Sequence, residues 1–475
     1  MNREPLSNAD FAVLRLGSPE NLMIITALMT LETRLKAAQL ETILERTLAH
    51  HKRFRQRLVL PRSPLLKAYW VEDKSFDIKR HIHCIHTPLP DEPKLLEDLV
   101  SRLLSVDLDY SKPLWQFYLV KCYGNGSALI WRLHHSIADG TSVVKIILSM
   151  TQDKPDDPMV DAVRLAYQQA SIHKPGKNGK NQGTRKFLSK LAGIGKAAIN
   201  DAEALEDLVR VSSSTAVAAG QLLFSSPDSK NVFRGPIGIS KQAAWSPALS
   251  LEQVKFVSKA FNSSINDVLL SAITGALRRY ILEIDQDFDF SMMHSLIPID
   301  MRRPTRIAQA GLLMDEIIDL SNGNHVGAAL LQLPLHIDNP LDRLAIIHKS
   351  MDSLKASGEG LVTYWFMSAL GALPAEVQEL ATNFWLTKSS TVITNVVGPS
   401  KQLYLGSAAI GTMIGWVPQF GPVGLGISIF SYNGKIWIGV AVDQGLIPDP
   451  GKLVSYFLEE LRLLGTQAVQ LEKPA

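Results

Sequence analysis

The residues whose types and spacing best suit catalysis are two adjacent histidines, His134 and His135, followed by Asp139 and Gly140. An imidazole can accept a proton near neutral pH, as a general base must. A carboxylate four residues further on can orient the loop or one of the rings, and glycine allows the backbone to turn tightly. A histidine pair alone occurs by chance in many chains, so the prediction of an acid–base site depends on the whole pattern.

The segments on either side of this pattern should hold it rigidly. Residues 127–133 (SALIWRL) are apolar enough to form a buried strand. From Gly140 to Met150, apolar residues recur at helical spacing, which predicts a helix. The histidines are therefore predicted where a strand ends and a loop opens into a helix, a usual location for reactive side chains on a rigid scaffold.

The full pattern His-His-x-x-x-Asp-Gly resembles the active-site motif of the CoA-dependent acyltransferase superfamily. That superfamily includes chloramphenicol acetyltransferase, peptide-synthesis condensation domains and the wax ester synthase/diacylglycerol acyltransferase family. Three other segments favour the last of these: Pro113-Leu114-Trp115, Asn266-Asp267, and Thr394–Pro399. The third resembles the family's Asn-Val-Pro-Gly-Pro segment, with valine in place of the first proline. Together the segments occur in the family's order over essentially the whole chain.

The resemblance implies a role for each catalytic residue. His135 would accept the proton of an acceptor hydroxyl, and His134 would shape the loop through hydrogen bonds. Asn266, or a backbone N–H near it, would stabilise the developing oxyanion. Gly140 would let the loop turn at the end of the motif.

Other residues would support this centre. Arg55, in the basic segment 51–58, would form a buried ion pair with Asp139 that fixes the loop rather than reacting. Asn266, Asp267 and the segment Pro113-Leu114-Trp115 would contact substrate. From the residues alone, helix capping explains the Asn-Asp pair and core packing explains the tryptophan segment.

The fold implied by the resemblance is α/β (α+β): two chloramphenicol-acetyltransferase-like lobes, each a mixed sheet flanked by helices, with a central tunnel. Residues 1–150 would form the N-terminal lobe with the histidine motif, and residues 234–475 the C-terminal lobe. Residues 151–233 would connect them. Part of this connector, residues 174–200, has seven lysines or arginines and no acidic residue, with apolar residues at helical spacing. It is either a solvated linker helix or an attachment to an anionic lipid surface.

Composition narrows the class of protein. The 475 residues are 46% hydrophobic and 20% charged, which describes a folded chain with a large core, and a net charge of +3 gives no argument for nucleic acid. Two cysteines, Cys84 and Cys122, suit a reducing compartment. The N-terminal residues lack the apolar core of a signal peptide. Glycines and prolines interrupt the uncharged residues 402–434, which predicts strands and turns rather than a membrane span. A cytoplasmic protein is therefore expected, and peripheral contact with membrane or lipid droplets stays an open alternative.

Metal chemistry is not expected. His81, His83, Cys84 and His86 are close in sequence, but their segment alternates like a strand and so cannot place the first three on one face. Coenzyme A would enter as the thioester substrate rather than as a permanently bound cofactor. The second substrate would be a fatty alcohol or diacylglycerol, giving wax ester or triacylglycerol. The sequence does not indicate an oligomeric state.

Two alternatives remain open from the sequence. One is a condensation-type or other enzyme of the same superfamily that uses CoA- or carrier-bound acyl groups. The other is a lipid-binding protein that keeps the fold without catalysis, against which the intact histidine motif argues.

The second half of the chain also carries local structure signals. Ser250 is a predicted helix N-cap, and a further helix is predicted to start near Ser263 and run to about Tyr280. Asn433-Gly434 is typical of a two-residue hairpin turn. A terminal helix is predicted over 452–464.

Overall fold

A computed structural model describes residues 3–48, 51–60, 68–86, 93–155, 227–228, 230–290, 293–300, 326–356, 363 and 387–472. Eight α-helices lie within these residues. The helices are α1 (Asn8–Leu16), α2 (Ala37–Arg46), α3 (Pro93–Leu104), α4 (Gly140–Met150), α5 (Leu251–Ala260), α6 (Ile265–Ile284), α7 (Pro340–Ala356) and α8 (Pro450–Glu472).

The same residues contain sixteen strands, of which several are short edge segments. The strands of the first half are β1 (Glu4–Pro5), β2 (Ile24–Leu31), β3 (Gln56–Val59), β4 (Tyr69–Glu72), β5 (Ile82–Ile85), β6 (Trp115–Tyr123) and β7 (Gly126–His134). Those of the second half are β8 (Lys241–Trp245), β9 (Leu249–Ser250), β10 (His294–Asp300), β11 (Val326–Gln332), β12 (Thr391–Val397), β13 (Tyr404–Leu405), β14 (Ala408–Trp416), β15 (Leu425–Tyr432) and β16 (Lys435–Asp443).

Most predicted elements of the second half are confirmed. Ser250 caps α5, accepting a hydrogen bond from the backbone N–H of Gln253 at 3.3 Å. Strands β15 and β16 form the predicted hairpin. Its turn residues Asn433 and Gly434 both have positive φ, at 46° and 70°, as a type I′ turn requires. The terminal helix is longer than predicted, because it begins at Pro450 and continues to Glu472.

Two mixed sheets organise the chain into two lobes, as predicted. The first has the order β13-β14-β2-β7-β6-β5, with β5 and β6 parallel and the other neighbours antiparallel. The second has the order β11-β10-β12-β15-β16-β8, with β9 also paired to β16. Its parallel pairs are β10–β12 and β12–β15. A separate three-stranded sheet, β1-β4-β3, lies in the first half.

One strand pair crosses between the lobes. Strands β13 and β14, from the second half of the sequence, add to the edge of the first sheet, where β14 pairs with β2. The division into 1–150, 151–233 and 234–475 does not anticipate this crossing, and it stays a prediction. The uncharged segment 402–434 contains β13, β14 and all of β15, with the connections between them.

The second sheet is buried on both faces, which explains why its strands are nearly continuous apolar runs. Ile429 and Ile438 pack on one face against α6 and α8 side chains. Phe430 and Trp437, on the other face, join the core of the first lobe. The two lobes therefore share a packed interface.

No described helix is both long and apolar enough to cross a membrane.

Candidate active site

Strand β7 fixes the position of the histidine pair. All nine of its residues are buried, and it pairs with β2 on one side and β6 on the other. Two backbone hydrogen bonds fix the C-terminal end of β7. The N–H of His134 donates to the Leu114 carbonyl at 3.0 Å, and the N–H of His135 donates to the Met23 carbonyl at 2.8 Å. The loop thus begins from a rigid position, as the apolar run 127–133 predicts.

His134 is the buried member of the pair. Its side chain is inaccessible to solvent, and its Nδ1 accepts the backbone N–H of Ser136 at 3.2 Å and lies 2.8 Å from the Ser136 hydroxyl. Since Nδ1 accepts, the proton of the neutral ring is on Nε2. Burial, assisted by the nearby charge of His135, lowers the pKa of His134 to about 3. The ring is therefore neutral at physiological pH and is held by its own loop.

His135 is the accessible member. It is half-buried, whereas every residue of β7 is buried. Its backbone contact, Met23, lies in the turn before β2 and has a positive φ of 51°. In the same turn, Asn21 donates from Nδ2 to the Gly421 carbonyl at 2.9 Å, which links the histidine loop to the β14–β15 connection. Residues 21–23 thus connect the backbone of His135 to a segment that is distant in sequence.

Asp139 fixes the other end of the loop. It is 1% exposed and is the N-cap of α4, where Oδ1 accepts the backbone N–H of Ser142 at 2.9 Å. A carboxylate at this position also interacts favourably with the helix dipole. Gly140 follows as the first residue of α4. The motif aspartate and glycine thus form the start of a helix that holds the loop from its C-terminal side.

The predicted ion pair between Arg55 and Asp139 is wrong. Arg55 is exposed, and its guanidinium lies over the ring of Phe76, 5.7 Å from the centroid. It ends the 3-10 helix Lys52–Arg55, in which the preceding Phe54 is the residue that turns into the core. That alternation leaves Arg55 exposed at the surface, whereas the carboxylate of Asp139 is 1% exposed.

The segment Pro113-Leu114-Trp115 supports the histidine strand from behind. All three residues are buried. The Leu114 carbonyl accepts from His134, and Trp115 donates from Nε1 to the Phe54 carbonyl at 2.8 Å. These contacts give the segment a packing role, and its contact with substrate stays a prediction.

The histidines upstream also have packing roles. His81 stacks on Trp115 with ring centroids 4.2 Å apart, and its Nδ1 lies 2.8 Å from the Trp115 carbonyl. His83 stacks on Tyr118 in the same way, at 4.8 Å. Burial lowers the pKa of both imidazoles. In the described part of the chain, no group of three or more histidine, cysteine or acidic side chains is arranged to hold a metal ion.

Asn266 lies at the start of α6, and the structure joins it to a second family segment. Its Oδ1 accepts a hydrogen bond from Nδ2 of Asn395, on β12, at 2.9 Å. The amide of Asn266 is therefore oriented with its oxygen occupied, which leaves the Nδ2 donors to face elsewhere. Val396, the neighbour of Asn395, packs against the core of the first lobe. Asn395 lies in the segment that resembles the family's Asn-Val-Pro-Gly-Pro segment, for which the sequence predicts no role.

Asp267 is fully buried and forms a capping box with Ser264. The Ser264 hydroxyl accepts the backbone N–H of Asp267 at 3.1 Å, and Oδ2 of Asp267 accepts the backbone N–H of Ser264 at 2.9 Å. The capping explanation of the Asn-Asp pair is thus correct for Asp267. Its Oδ2 also lies 2.7 Å from Nδ1 of His348, a residue that the sequence did not single out because a lone histidine in a helix carries no pattern.

Two sheet-based lobes with a His-His-x-x-x-Asp-Gly loop at the end of a central strand define the class of chloramphenicol-acetyltransferase-like acyltransferases. Solved structures support this fold. A wax ester synthase/diacylglycerol acyltransferase from Marinobacter aquaeolei matches with a TM-score of 0.66 and 21% identity, covering 98% of this chain and 100% of the other. The first condensation domain of the calcium-dependent antibiotic synthetase matches with a TM-score of 0.60 and 13% identity, covering 99% and 97%.

The chain belongs to the wax ester synthase/diacylglycerol acyltransferase family and is an acyltransferase. The model of the family's catalytic domain matches residues 6–269, and the model of its C-terminal domain matches residues 322–465. A probable diacylglycerol O-acyltransferase of Mycobacterium tuberculosis is 26% identical over 411 residues, covering 84% of this chain and 82% of the relative. The O-acyltransferase WSD of Acinetobacter baylyi is 25% identical over 406 residues, covering 83% and 82%.

Proposed function

We propose that the chain transfers a long-chain acyl group from acyl-CoA to a fatty alcohol or diacylglycerol, with His135 as general base. The observation that carries this assignment is the contrast between the two imidazoles. His134 is fully buried with Nδ1 occupied by its own loop, whereas His135 is half-buried at the end of the same rigid strand. Only His135 is positioned to meet a substrate without the loop opening.

The reaction needs few groups. An unprotonated ring nitrogen of His135 accepts the hydroxyl proton while the acceptor oxygen attacks the thioester carbonyl, which contributes about 10² to 10⁴ in rate. The Nδ2 donors of Asn266 stabilise the oxyanion of the tetrahedral intermediate, since the Oδ1 of this amide is held by Asn395. The C–S bond then breaks, and the imidazolium returns its proton to the leaving thiolate of coenzyme A. The predicted tunnel would bring the two substrates together.

The test compares His135→Ala with His86→Ala, a histidine that is exposed and outside the motif. Purified proteins receive palmitoyl-CoA with hexadecanol and diacylglycerol in competition, thiol release is followed, and products are separated. We expect His135→Ala to lose at least about 10²-fold in kcat and to keep its folded circular dichroism spectrum, because the group removed is a general base. Wild-type activity in His135→Ala would refute the assignment.

The product ratio in this assay also determines which acceptor is used. Contact with a membrane or lipid droplet, and a cytoplasmic location, stay predictions. The prediction of membrane or droplet contact depends on the basic connector 174–200, which lies outside the described residues.

A further inference from the structure

A pair of titratable side chains lies directly beside Asn266. His348 is on α7, which packs against α6, and its Nδ1 is 2.7 Å from Oδ2 of the fully buried Asp267. The imidazole side chain is 37% exposed, and its Nε2 lies 3.6 Å from Oδ2 of Asp352 on the same helix. His348 therefore connects a buried carboxylate to the helix that covers it.

This pair acts on the first turn of α6. Oδ2 of Asp267 accepts from His348 and from the backbone N–H of Ser264. One oxygen therefore binds both a side chain of α7 and the N-cap residue of α6. With the Asp267 carboxylate as acceptor, the hydrogen atom of the 2.7 Å contact is assigned to Nδ1 of His348. Oδ1 of Asp267 has no hydrogen-bond partner in the described part of the chain. The position of this carboxylate thus depends on Ser264 and His348.

Asn266 lies between Ser264 and Asp267 in this turn. Its side-chain oxygen is fixed by Asn395 from the second sheet, and its backbone is fixed by the capping box. A buried carboxylate one residue away also opposes negative charge that develops near Asn266. A hydrogen bond from an imidazole withdraws part of that charge from the site.

We propose that His348 is a positioning residue for acyl transfer, which acts through Asp267 to hold the Asn266 amide in its oxyanion-binding orientation. This inference rests on the proposed function, in which Asn266 is the oxyanion donor. It assigns His348 no contact with substrate.

The test uses two substitutions that differ in where they place a donor. An asparagine amide can occupy the position of Nδ1, whereas a glutamine amide reaches toward the position of Nε2. We therefore expect His348→Gln to lower kcat about tenfold, because a small misplacement of a catalytic group is costly. His348→Asn should recover most of this loss, and KM for palmitoyl-CoA should change by less than about twofold. The matched control is Lys349→Ala, the exposed next residue of α7.

A double-mutant comparison identifies the route. In an Asn266→Ala background, His348→Gln should cause no further loss of kcat, because the group that it positions is already absent. Additive losses of kcat in the double mutant would overturn the inference. Wild-type kcat in His348→Gln, found together with a lowered kcat in Asn266→Ala, would also overturn it. That second result leaves the proposed function intact. Unchanged kcat in Asn266→Ala would overturn the oxyanion assignment together with the inference, while His135→Ala tests the general base separately.

Discussion

Acid should destabilise the folded chain through His134. In the fold this imidazole is fully buried, and its pKa is lowered from 6.5 to about 3, mainly by burial. In the unfolded chain it titrates near 6.5, so the unfolded state binds the proton first as pH falls. The stability that the neutral ring contributes is therefore complete above the unfolded pKa and is lost progressively between pH 6.5 and about 3.

The size of this effect follows from the two pKa values. One pKa unit corresponds to about 1.4 kcal/mol, so complete titration would remove roughly 5 kcal/mol of unfolding free energy. Between pH 7.5 and 4.5, the linkage relation gives a loss of about 2.7 kcal/mol. That loss is a large share of the stability of most folded proteins.

Urea unfolding of wild type and His134→Asn at these two pH values measures the loss. Asparagine does not titrate, and its Oδ1 can still accept the backbone N–H of Ser136, as Nδ1 of His134 does at 3.2 Å. We expect the pH-dependent loss of free energy to be smaller in His134→Asn by about 2 to 3 kcal/mol. The control is His86→Asn, which should behave as wild type because His86 is exposed. Equal pH dependence in wild type and His134→Asn would refute the argument.

Two further predictions concern the supports of the loop. Asp139→Ala should lower the free energy of unfolding by at least about 0.5 to 2 kcal/mol, which is the contribution of the α4 N-cap. Arg55→Ala should change it by less than about 0.5 kcal/mol. Equal losses of unfolding free energy in Arg55→Ala and Asp139→Ala, measured by urea unfolding, would support the ion pair instead. Trp115→Phe should cost about 1 to 3 kcal/mol beyond Trp131→Phe, because it leaves the buried Phe54 carbonyl without its donor, while Nε1 of Trp131 has no hydrogen-bond partner in the described chain. Equal costs would contradict this role of the indole.

The local elements near the site could be predicted because their signals are local. The apolar run before His134 predicts β7 because a strand that is buried on both faces needs apolar residues throughout. The helical spacing after Gly140 predicts α4 because burial of one helix face selects that period. Capping at Ser250 and the turn at Asn433-Gly434 follow from side-chain and backbone preferences within four residues. These predictions needed no knowledge of the rest of the chain.

Contacts between distant segments could not be predicted in the same way. The resemblance predicts that Arg55 pairs with Asp139, but the 3-10 helix places Phe54 in the core and so leaves Arg55 exposed. The bond of His348 to Asp267 depends on how α7 packs against α6, and a lone histidine in a helix gives no sign of it. The pairing of β14 with β2 was missed for the same reason.

The sequence by itself determined which residues are candidates for the chemistry and the strand-loop-helix that contains His135, because residue types and short-range periodicity are properties of the chain alone. Only the tertiary structure decided which histidine is accessible, that Asp139 caps a helix instead of pairing with Arg55, and that Asn395 meets Asn266. Burial and hydrogen bonding between segments that are distant in sequence depend on packing, and packing is a property of the whole fold.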